Sequence, residues 1–335
     1  MCIRDSYNAL NSKADDGSGA QKFYTEAEID AMFADGAGFM DASLNGTGKK
    51  VRSKTSAGCA AGNSSTQAQF DDQIADFTAN VVSAWTADAS AGVAGKLTDA
   101  TRSIHVNKYG HEIDQTFVKG LIGGMCTDQI VNNYLQPCQL DSGTRTDDNT
   151  NGVLARGKNY TDMEHKWDEA FGYLYGQEAD YSRADLGSAP TGNGTTLNKY
   201  FKKINDSNMT GIAQTVYDAF KLGRAAIVAG NYEVRDAQAN IIKIHLSKVI
   251  GYKSVDYLNG YMSKMAAGNT ADAFHALSEG YGFIMSLQFT NDGTENPYFT
   301  KAEVDAMLAQ MDDFWTVKDS DLTSMVSQIQ SKMNI

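Results

Sequence analysis

The chain has 335 residues, of which 42% are hydrophobic, so it can bury a sizeable core and is not expected to be disordered. Its 41 acidic residues against 29 basic ones give a net charge of −12 at pH 7, which disfavours nucleic acid as a partner because phosphate backbones would be repelled. No apolar run reaches the roughly 18 residues that a membrane-spanning helix needs, so the sequence predicts none.

The first six residues, MCIRDS, are expected to be foreign to the protein. Back-translated as ATG TGT ATA AGA GAC AGT, they match the transposon end used to prepare sequencing libraries. On this interpretation residues 1–6 are a sequencing-adapter artefact and the native N-terminus is missing. A signal peptide or a lipid-attachment cysteine would have been lost with it.

Capping signals and hydrophobic spacing predict helices in the first part of the chain. Thr25 with Glu28 forms a capping box, and Thr300 with Glu303 repeats the device near the other end. Residues 34–64 are rich in Gly, Ala, Ser and Asn and are predicted to be a loop. From residue 66 to about residue 87, large apolar residues recur at helical spacing: Phe70, Ile74, Phe77, Val81 and Trp85.

Further helices are predicted for most of the remaining chain. Residues 101–110 are expected to be a short extended segment, and residues 111–135 a long helix that stops near Pro137. The polar stretch 142–152 is predicted to be a loop. Helices then follow at about 161–176, 197–206, 209–229, 232–260, 269–288, 300–314 and 319–333. The sequence therefore predicts an all-α fold, with residues 7–150 as a first helical half and residues 151–335 as a second.

The cysteines give no zinc signature, since neither a CxxC spacing nor a nearby histidine pattern occurs. Cys126 lies in an apolar helical stretch and is predicted to be a buried small hydrophobic residue. Cys59 and Cys138 lie in predicted loops and could form a disulfide, but we expect them to be unpaired.

Two segments 110 residues apart resemble each other. Residues 159–176 and 269–286 share five of eighteen positions: Asn159/Asn269, Asp162/Asp272, His165/His275, Glu169/Glu279 and Gly172/Gly282. Wound as helices, both segments place the His, the Glu and the Gly on the face opposite the apolar stripe. Because glycine costs about 1 kcal/mol in a helix, the repeated glycine indicates that another helix or a ligand approaches this face closely.

A His and a Glu four residues apart on a helix have Cβ atoms roughly 6 Å apart and can chelate one metal ion. The alternative is structural, in which the Glu holds the His by a hydrogen bond across a helix contact. Glu164 and Asp168 enrich the first pair in acceptors, so the first copy is the better metal candidate. Arg224, a lone cation in an apolar run, is expected to pair with a buried carboxylate.

The strings MEHKWDEAFGYL (Met163 to Leu174), FKLGRAAI (Phe220 to Ile227) and HALSEGYGFIMSL (His275 to Leu287) resemble domain-of-unknown-function family 4856, which is grouped with the imelysin-like proteins. The resemblance runs from about Tyr24 to the C-terminus. It implies a helical bundle of two halves related by a pseudo-twofold axis. It also implies a periplasmic protein or an outer-membrane lipoprotein of a Gram-negative bacterium, associated with iron uptake.

Imelysin-like proteins carry an HxxE motif on a helix, and some are called metallopeptidases. The matching positions here are His165 and Asp168, with Asp in place of Glu, and Glu169 follows one residue late. The candidate ligands for a divalent metal or iron are therefore His165, Asp168, Glu169, His275 and Glu279. We assign no catalytic residue and no organic cofactor.

The sequence is compatible with three functions. The first is an envelope protein that binds a metal ion or an iron compound without catalysis. The second is a metallopeptidase, whose zinc would need three protein ligands and a general base, although the sequence contains no HExxH. The third is a structural or interaction module that partners an outer-membrane receptor.

Overall fold

A computed structural model describes residues 2–11, 20–59, 64–176, 196–294 and 296–335. The α-helices are α1 (Cys2–Ala9), α2 (Glu26–Asp30), α3 (Val51–Lys54), α4 (Ser64–Asp76), α5 (Ile113–Leu121), α6 (Pro137–Leu140), α7 (Arg145–Thr150), α8 (Asp162–Tyr175), α9 (Leu197–Asn205), α10 (Ile212–Val228), α11 (Tyr232–Ala266), α12 (Thr270–Ser286), α13 (Lys301–Ala309) and α14 (Asp319–Met333). The all-α prediction is confirmed. Within the described residues, no helix is both long enough and apolar enough to cross a membrane.

The core is built around the predicted long helix. It begins as α5 and continues through wide π-helical turns at Ile122–Thr127 and Gln129–Tyr134, and we call residues 113–134 the central helix. The second repeat segment, α12, packs between α5 and α11, and α11 also packs against α10 and α14. The first repeat segment, α8, packs on the other end of the central helix, at Gln129–Tyr134. The two repeat segments thus contact the same helix at different places.

Local capping chemistry sets several of the helix starts. Both predicted capping boxes are present, since Thr25 and Thr300 each accept a hydrogen bond from the backbone N–H of the Glu three residues on. Thr161 starts α8 in the same way. Pro137 does more than end the central helix, because it is the first residue of α6, where its missing N–H costs nothing.

Two loop predictions are wrong. Residues 142–152 contain α7, which is held by its Asn149 side chain: Nδ2 donates to the Ile227 carbonyl at 2.8 Å, and Oδ1 accepts from the Thr161 hydroxyl at 2.6 Å. Within the range predicted as a loop at residues 34–64, α3 and a short turn of helix at Ala42–Leu44 form. Both differences arise from contacts with distant parts of the chain, which local composition does not report.

The predicted extended segment is confirmed but has a partner that the sequence did not indicate. β2 (Ser103–Val106) pairs antiparallel with β1 (Gly95–Thr98), with Gly95 opposite Val106 and Thr98 opposite Ser103. This hairpin packs beside α12. Its burial is confined largely to Ile104 and Val106, so it is a small addition to a helical core.

Cys59 and Cys138 form a disulfide, which corrects the expectation that they are unpaired. The loop that carries Cys59 is drawn onto the central helix by Asp128, whose buried carboxylate accepts from the backbone N–H groups of Ala57 and Gly58 at 3.0 and 2.9 Å. Cys126 is free and buried, as predicted.

Candidate functional site

The second His–Glu pair lies in a helix contact. His275 and Glu279 on α12 have side chains that are 15% and 13% exposed. The imidazole lies between two carboxylates: its Nδ1 is 2.6 Å from Glu112 Oε2, and its Nε2 is 3.5 Å from Glu279 Oε2. Glu112 immediately precedes α5, so this histidine joins α12 to the start of the central helix.

A buried lysine completes this cluster. Lys119 on α5 places its Nζ 3.1 Å from Glu279 Oε1 and donates a hydrogen bond of 2.9 Å to Gln115 Oε1. Burial opposes the charge on Lys119, but attraction to Tyr200 and Glu279 outweighs it and raises the lysine's pKa. Burial would also raise the pKa of Glu279, yet Lys119 and His275 outweigh it, so this pKa is lowered. Both groups are therefore charged at neutral pH.

The small residues on the same face allow the two helices to touch. A Cβ added at Gly282 would lie 2.5 Å from the Lys119 Cβ and 2.7 Å from the Gly120 nitrogen. One turn further on, the Ser286 hydroxyl donates to the Gly282 carbonyl at 2.7 Å and contacts the Lys119 carbonyl at 3.1 Å. The predicted close approach is confirmed for this copy, and the approaching element is a helix.

Four residues link α12 to α5 and its N-cap, and we call them the ionic clamp: His275, Glu279, Glu112 and Lys119. The two nitrogens of an imidazole point in divergent directions, so Glu112 and Glu279 cannot share one ion with His275. The Lys119 ammonium beside Glu279 would also repel a cation. Across the ranges that the structure describes, no three His, Cys, Asp or Glu side chains converge as a metal-binding group.

The first His–Glu pair has different surroundings. His165 Nε2 is 3.8 Å from Glu169 Oε1, and the two side chains are 42% and 28% exposed. Glu169 accepts a hydrogen bond of 2.7 Å from Lys166, and the His165 ring stacks on Tyr160 with centroids 5.2 Å apart. No atom of the described residues lies within 4 Å of a Cβ added at Gly172. No described helix makes the predicted close approach at α8, and the approach of a ligand to this face stays a prediction.

Asp168, the third candidate ligand on α8, contacts a cation. Arg224 on α10 donates from Nε to Asp168 Oδ1 at 3.0 Å and from a terminal nitrogen to Glu164 Oε1 at 2.7 Å. Burial raises the pKa of Asp168, against the opposing effect of Arg224. The expected pairing of Arg224 is confirmed, since the Glu164 side chain is only 13% exposed. The five candidate ligands thus lie on two helices, in places with different chemistry.

A groove lies between α8 and α10 beside this ion pair. Its volume is about 450 Å³, and it is lined by Trp167, Asp168, Phe171, Tyr217, Phe220, Lys221, Arg224, Ala225 and Val228. Trp167 is held by a 2.9 Å hydrogen bond from its Nε1 to the Phe220 carbonyl. It lies so close to α10 that a Cβ at Gly223 would overlap its ring. The wall of the groove is therefore aromatic and fixed in place.

Sequence reasoning missed the partners of His275 and the groove. Nothing in the sequence around Glu112 links it to His275, whereas Lys119 is a single cation in the apolar run FVKGLIGG and could have been recognised from it. The glycine of FKLGRAAI, spaced three residues from Phe220, was the available signal that a large side chain packs against α10.

Comparison with known proteins identifies a family. No curated protein and no solved structure matches the chain. The family model described as a domain of unknown function, DUF4856, matches residues 10–335. The match spans nearly all of the chain, and the protein belongs to this family.

Proposed function

We propose that this protein is a non-catalytic binding protein of the cell envelope that holds an iron compound in the groove between α8 and α10. The groove itself carries the proposal: its volume of about 450 Å³ is in the range of sites for small organic molecules, and four aromatic side chains line it. The iron comes from the resemblance to imelysin-like proteins. The groove supplies a place for the organic part of such a compound.

The surroundings of α8 favour a whole compound over a bare metal ion. His165 and Glu169 offer two donors on a half-exposed face, and Glu169 already accepts a hydrogen bond from Lys166. Asp168 contacts Arg224, which opposes a cation at the same carboxylate. An iron chelate brings its own ligands to the metal, so it needs from the protein only walls of suitable shape and polarity. The same contacts favour binding over metallopeptidase chemistry.

The disulfide supports the location in the cell envelope. Disulfides persist in oxidising compartments such as the bacterial periplasm and are rare in the cytosol. The Cys59–Cys138 bond joins positions 79 residues apart, so it closes a large loop of chain that includes the central helix. A periplasmic or outer-membrane location agrees with this bond and with the resemblance.

The test is a titration with ferric citrate and with the ferric complex of catechol, followed by tryptophan fluorescence. Trp167 lines the groove, and replacing Trp85 and Trp315 by Phe leaves it as the sole fluorescent tryptophan. We expect one of the two iron compounds to quench this emission with saturation. Ala225→Phe fills the groove from an exposed position, and we expect it to weaken binding at least tenfold, about 1.4 kcal/mol.

Leu222→Phe is the matched control, because Leu222 is 51% exposed on the same helix and does not line the groove. Binding that survives Ala225→Phe would contradict the proposal. Binding of a bare divalent ion that is abolished by His165→Ala would favour the metal site instead. Chelator-sensitive proteolysis would favour the peptidase. An interaction module would bind neither iron compound, and its groove variants would change only the melting temperature.

A further inference from the structure

A second charged cluster lies around Tyr200, away from the groove. Lys199 and Lys203 are one turn apart on α9, and Lys119 reaches the same ring from α5. Their Nζ atoms lie 5.7, 5.4 and 5.7 Å from the Tyr200 ring centroid for Lys199, Lys203 and Lys119 respectively. Three ammonium groups from two helices therefore share the surroundings of one aromatic ring.

Among the described residues, the negative charges nearby do not balance these lysines. Lys119 is paired with Glu279 at 3.1 Å. A fourth lysine, Lys253 on α11, is paired with Asp256 at 2.8 Å. Lys199 and Lys203 make no ion pair with any residue in the described part of the chain. In a protein of net charge −12, two unpaired lysines beside two further ones form a local excess of positive charge.

Without a bound anion, the charged lysines of this cluster repel one another. Burial lowers the pKa of Lys199, and repulsion from Lys119 and Lys203 lowers it further. The pKa of Lys203 is lowered by burial and then by Lys253. An anion placed between these ammonium groups would relieve the repulsion and return both pKa values toward those of a free lysine.

We propose that Lys199, Lys203 and Lys119 form a binding site for a small oxyanion with more than one negative charge, with the Tyr200 ring as its floor. Phosphate and carboxylate oxygens are the acceptors that ammonium donors bind most strongly, through short charge-assisted hydrogen bonds. Two lysines one helical turn apart can each reach a different oxygen of the same anion. The ligand is a phosphate-bearing or polycarboxylate compound, and the site is separate from the groove between α8 and α10.

Lys202 provides a matched control on the same helix. It lies between the two unpaired lysines in sequence but forms an ion pair with Asp206 at 2.5 Å. Replacing it by Gln removes one positive charge from α9 without touching the cluster around Tyr200. A purely nonspecific effect of charge on α9 would therefore appear in Lys202→Gln as well.

The experiment is calorimetric titration of the folded protein with inorganic phosphate and, separately, with citrate, at an ionic strength held constant with sodium chloride. We expect saturable binding of at least one anion. The double variant Lys199→Gln/Lys203→Gln should weaken it at least about tenfold, since two charge-assisted hydrogen bonds are lost. Lys202→Gln should stay within about twofold of the wild type by the same reasoning.

Proton uptake gives a second readout. Because the anion raises the lowered pKa values of Lys199 and Lys203, binding at alkaline pH should take up protons, seen as a difference between buffers of different ionisation enthalpy. Lys199→Arg/Lys203→Arg keeps the charges and should keep the affinity.

If only phosphate binds, the ligand is a phosphate-bearing compound, and if only citrate binds, it is a polycarboxylate. If both bind, the site recognises the charge pattern that the two anions share. No saturable binding of either anion overturns the proposal, and so does unchanged affinity in the folded Gln double variant. Ala225→Phe should leave anion affinity unchanged, so failure here is distinguishable from failure of the iron-compound proposal.

Discussion

On α12 the His275 and Glu279 side chains are 15% and 13% exposed, whereas on α8 those of His165 and Glu169 are 42% and 28% exposed. Both pairs have the same spacing, and both helices pack on the central helix. α12 packs on the first half of the central helix. Lys119 lies in that half, and Glu112 lies just before it. α8 meets its second half, where Tyr134 packs against Tyr173 with ring centroids 5.7 Å apart.

The spacing of a His–Glu pair therefore fixes only its local geometry. The facing helix determines what the pair does. Charged partners on α5 and at its N-cap make the α12 pair part of a buried ionic clamp, whereas the α8 pair faces an aromatic residue, Tyr134, and stays more exposed. A duplicated motif is therefore evidence for a duplicated helix, and a function must be argued for each copy separately.

The largest expected difference between the two copies is the loss of stability when the glutamate of each pair is removed. Glu279→Ala leaves Lys119 buried without its anion, so we expect a loss of about 3 kcal/mol in the free energy of unfolding. Glu169→Ala breaks a half-exposed pair with Lys166 and should cost less than about 0.5 kcal/mol. Urea denaturation at pH 7 measures both values.

Replacing the lysine as well tests the cause. If the cost of Glu279→Ala arises from an uncompensated charge, then Lys119→Met in the same protein should restore part of the lost stability. Equal costs for Glu279→Ala and Glu169→Ala would remove the distinction between the two copies.

The second contrast concerns the glycines. Gly282→Ala places a Cβ within 2.8 Å of the Lys119 Cβ, the Gly120 nitrogen and the Thr116 carbonyl oxygen, so the helices must separate. We expect a net destabilisation of about 2 kcal/mol, because overpacking outweighs the better helix propensity of alanine. Gly172→Ala meets no described atom and should stabilise the protein by about 0.5 to 1 kcal/mol.

Thermal or chemical denaturation of this pair of variants checks the signs as well as the sizes. A neutral Gly282→Ala would mean that α5 and α12 do not touch at this position. A destabilising Gly172→Ala would mean that the exposed face of α8 is covered in the folded protein.

Local chemistry made most of the fold predictable from the sequence. Capping boxes at Thr25 and Thr300 and the apolar spacing of the helices depend on residues a few positions apart, and these predictions are confirmed. The predictions that failed depend on long-range contacts. α7 is held through Asn149 by a carbonyl 78 residues away, and the disulfide joins positions 79 residues apart.

The candidate sites divide in the same way. The i,i+4 pair on α12 was visible in the sequence, but Glu112 lies 163 residues from His275 and could not be assigned to it. The groove needs two helices whose relative position is set by Gly223 and Trp167, which lie 56 residues apart. The glycine in FKLGRAAI indicates that something packs closely on α10, but the local pattern of neither helix identifies Trp167 as that residue.

The last contrast concerns the response to acid of the residues that pack around α12. His111 borders α12 through Tyr281, with ring centroids 5.0 Å apart, and its Nε2 is 3.2 Å from the Met311 carbonyl oxygen. Burial lowers the pKa of His111 to about 4, whereas in the unfolded chain it is near the ordinary value of 6.5. As the pH falls from about 7 to 4, the unfolded state takes up this proton before the folded state does, so the protein loses stability.

Replacing His111 by Gln should therefore flatten the dependence of the free energy of unfolding on pH by about 3 kcal/mol between pH 7 and pH 4. Because the two proteins contain the same carboxylates, the difference between the two curves reports on the histidine and its coupling to nearby acidic residues such as Asp76. His165→Gln is the control, since it removes a histidine whose side chain is 42% exposed from α8. If its curve flattened as much as that of His111→Gln, the acid response would belong to histidine content and not to the packing around α12.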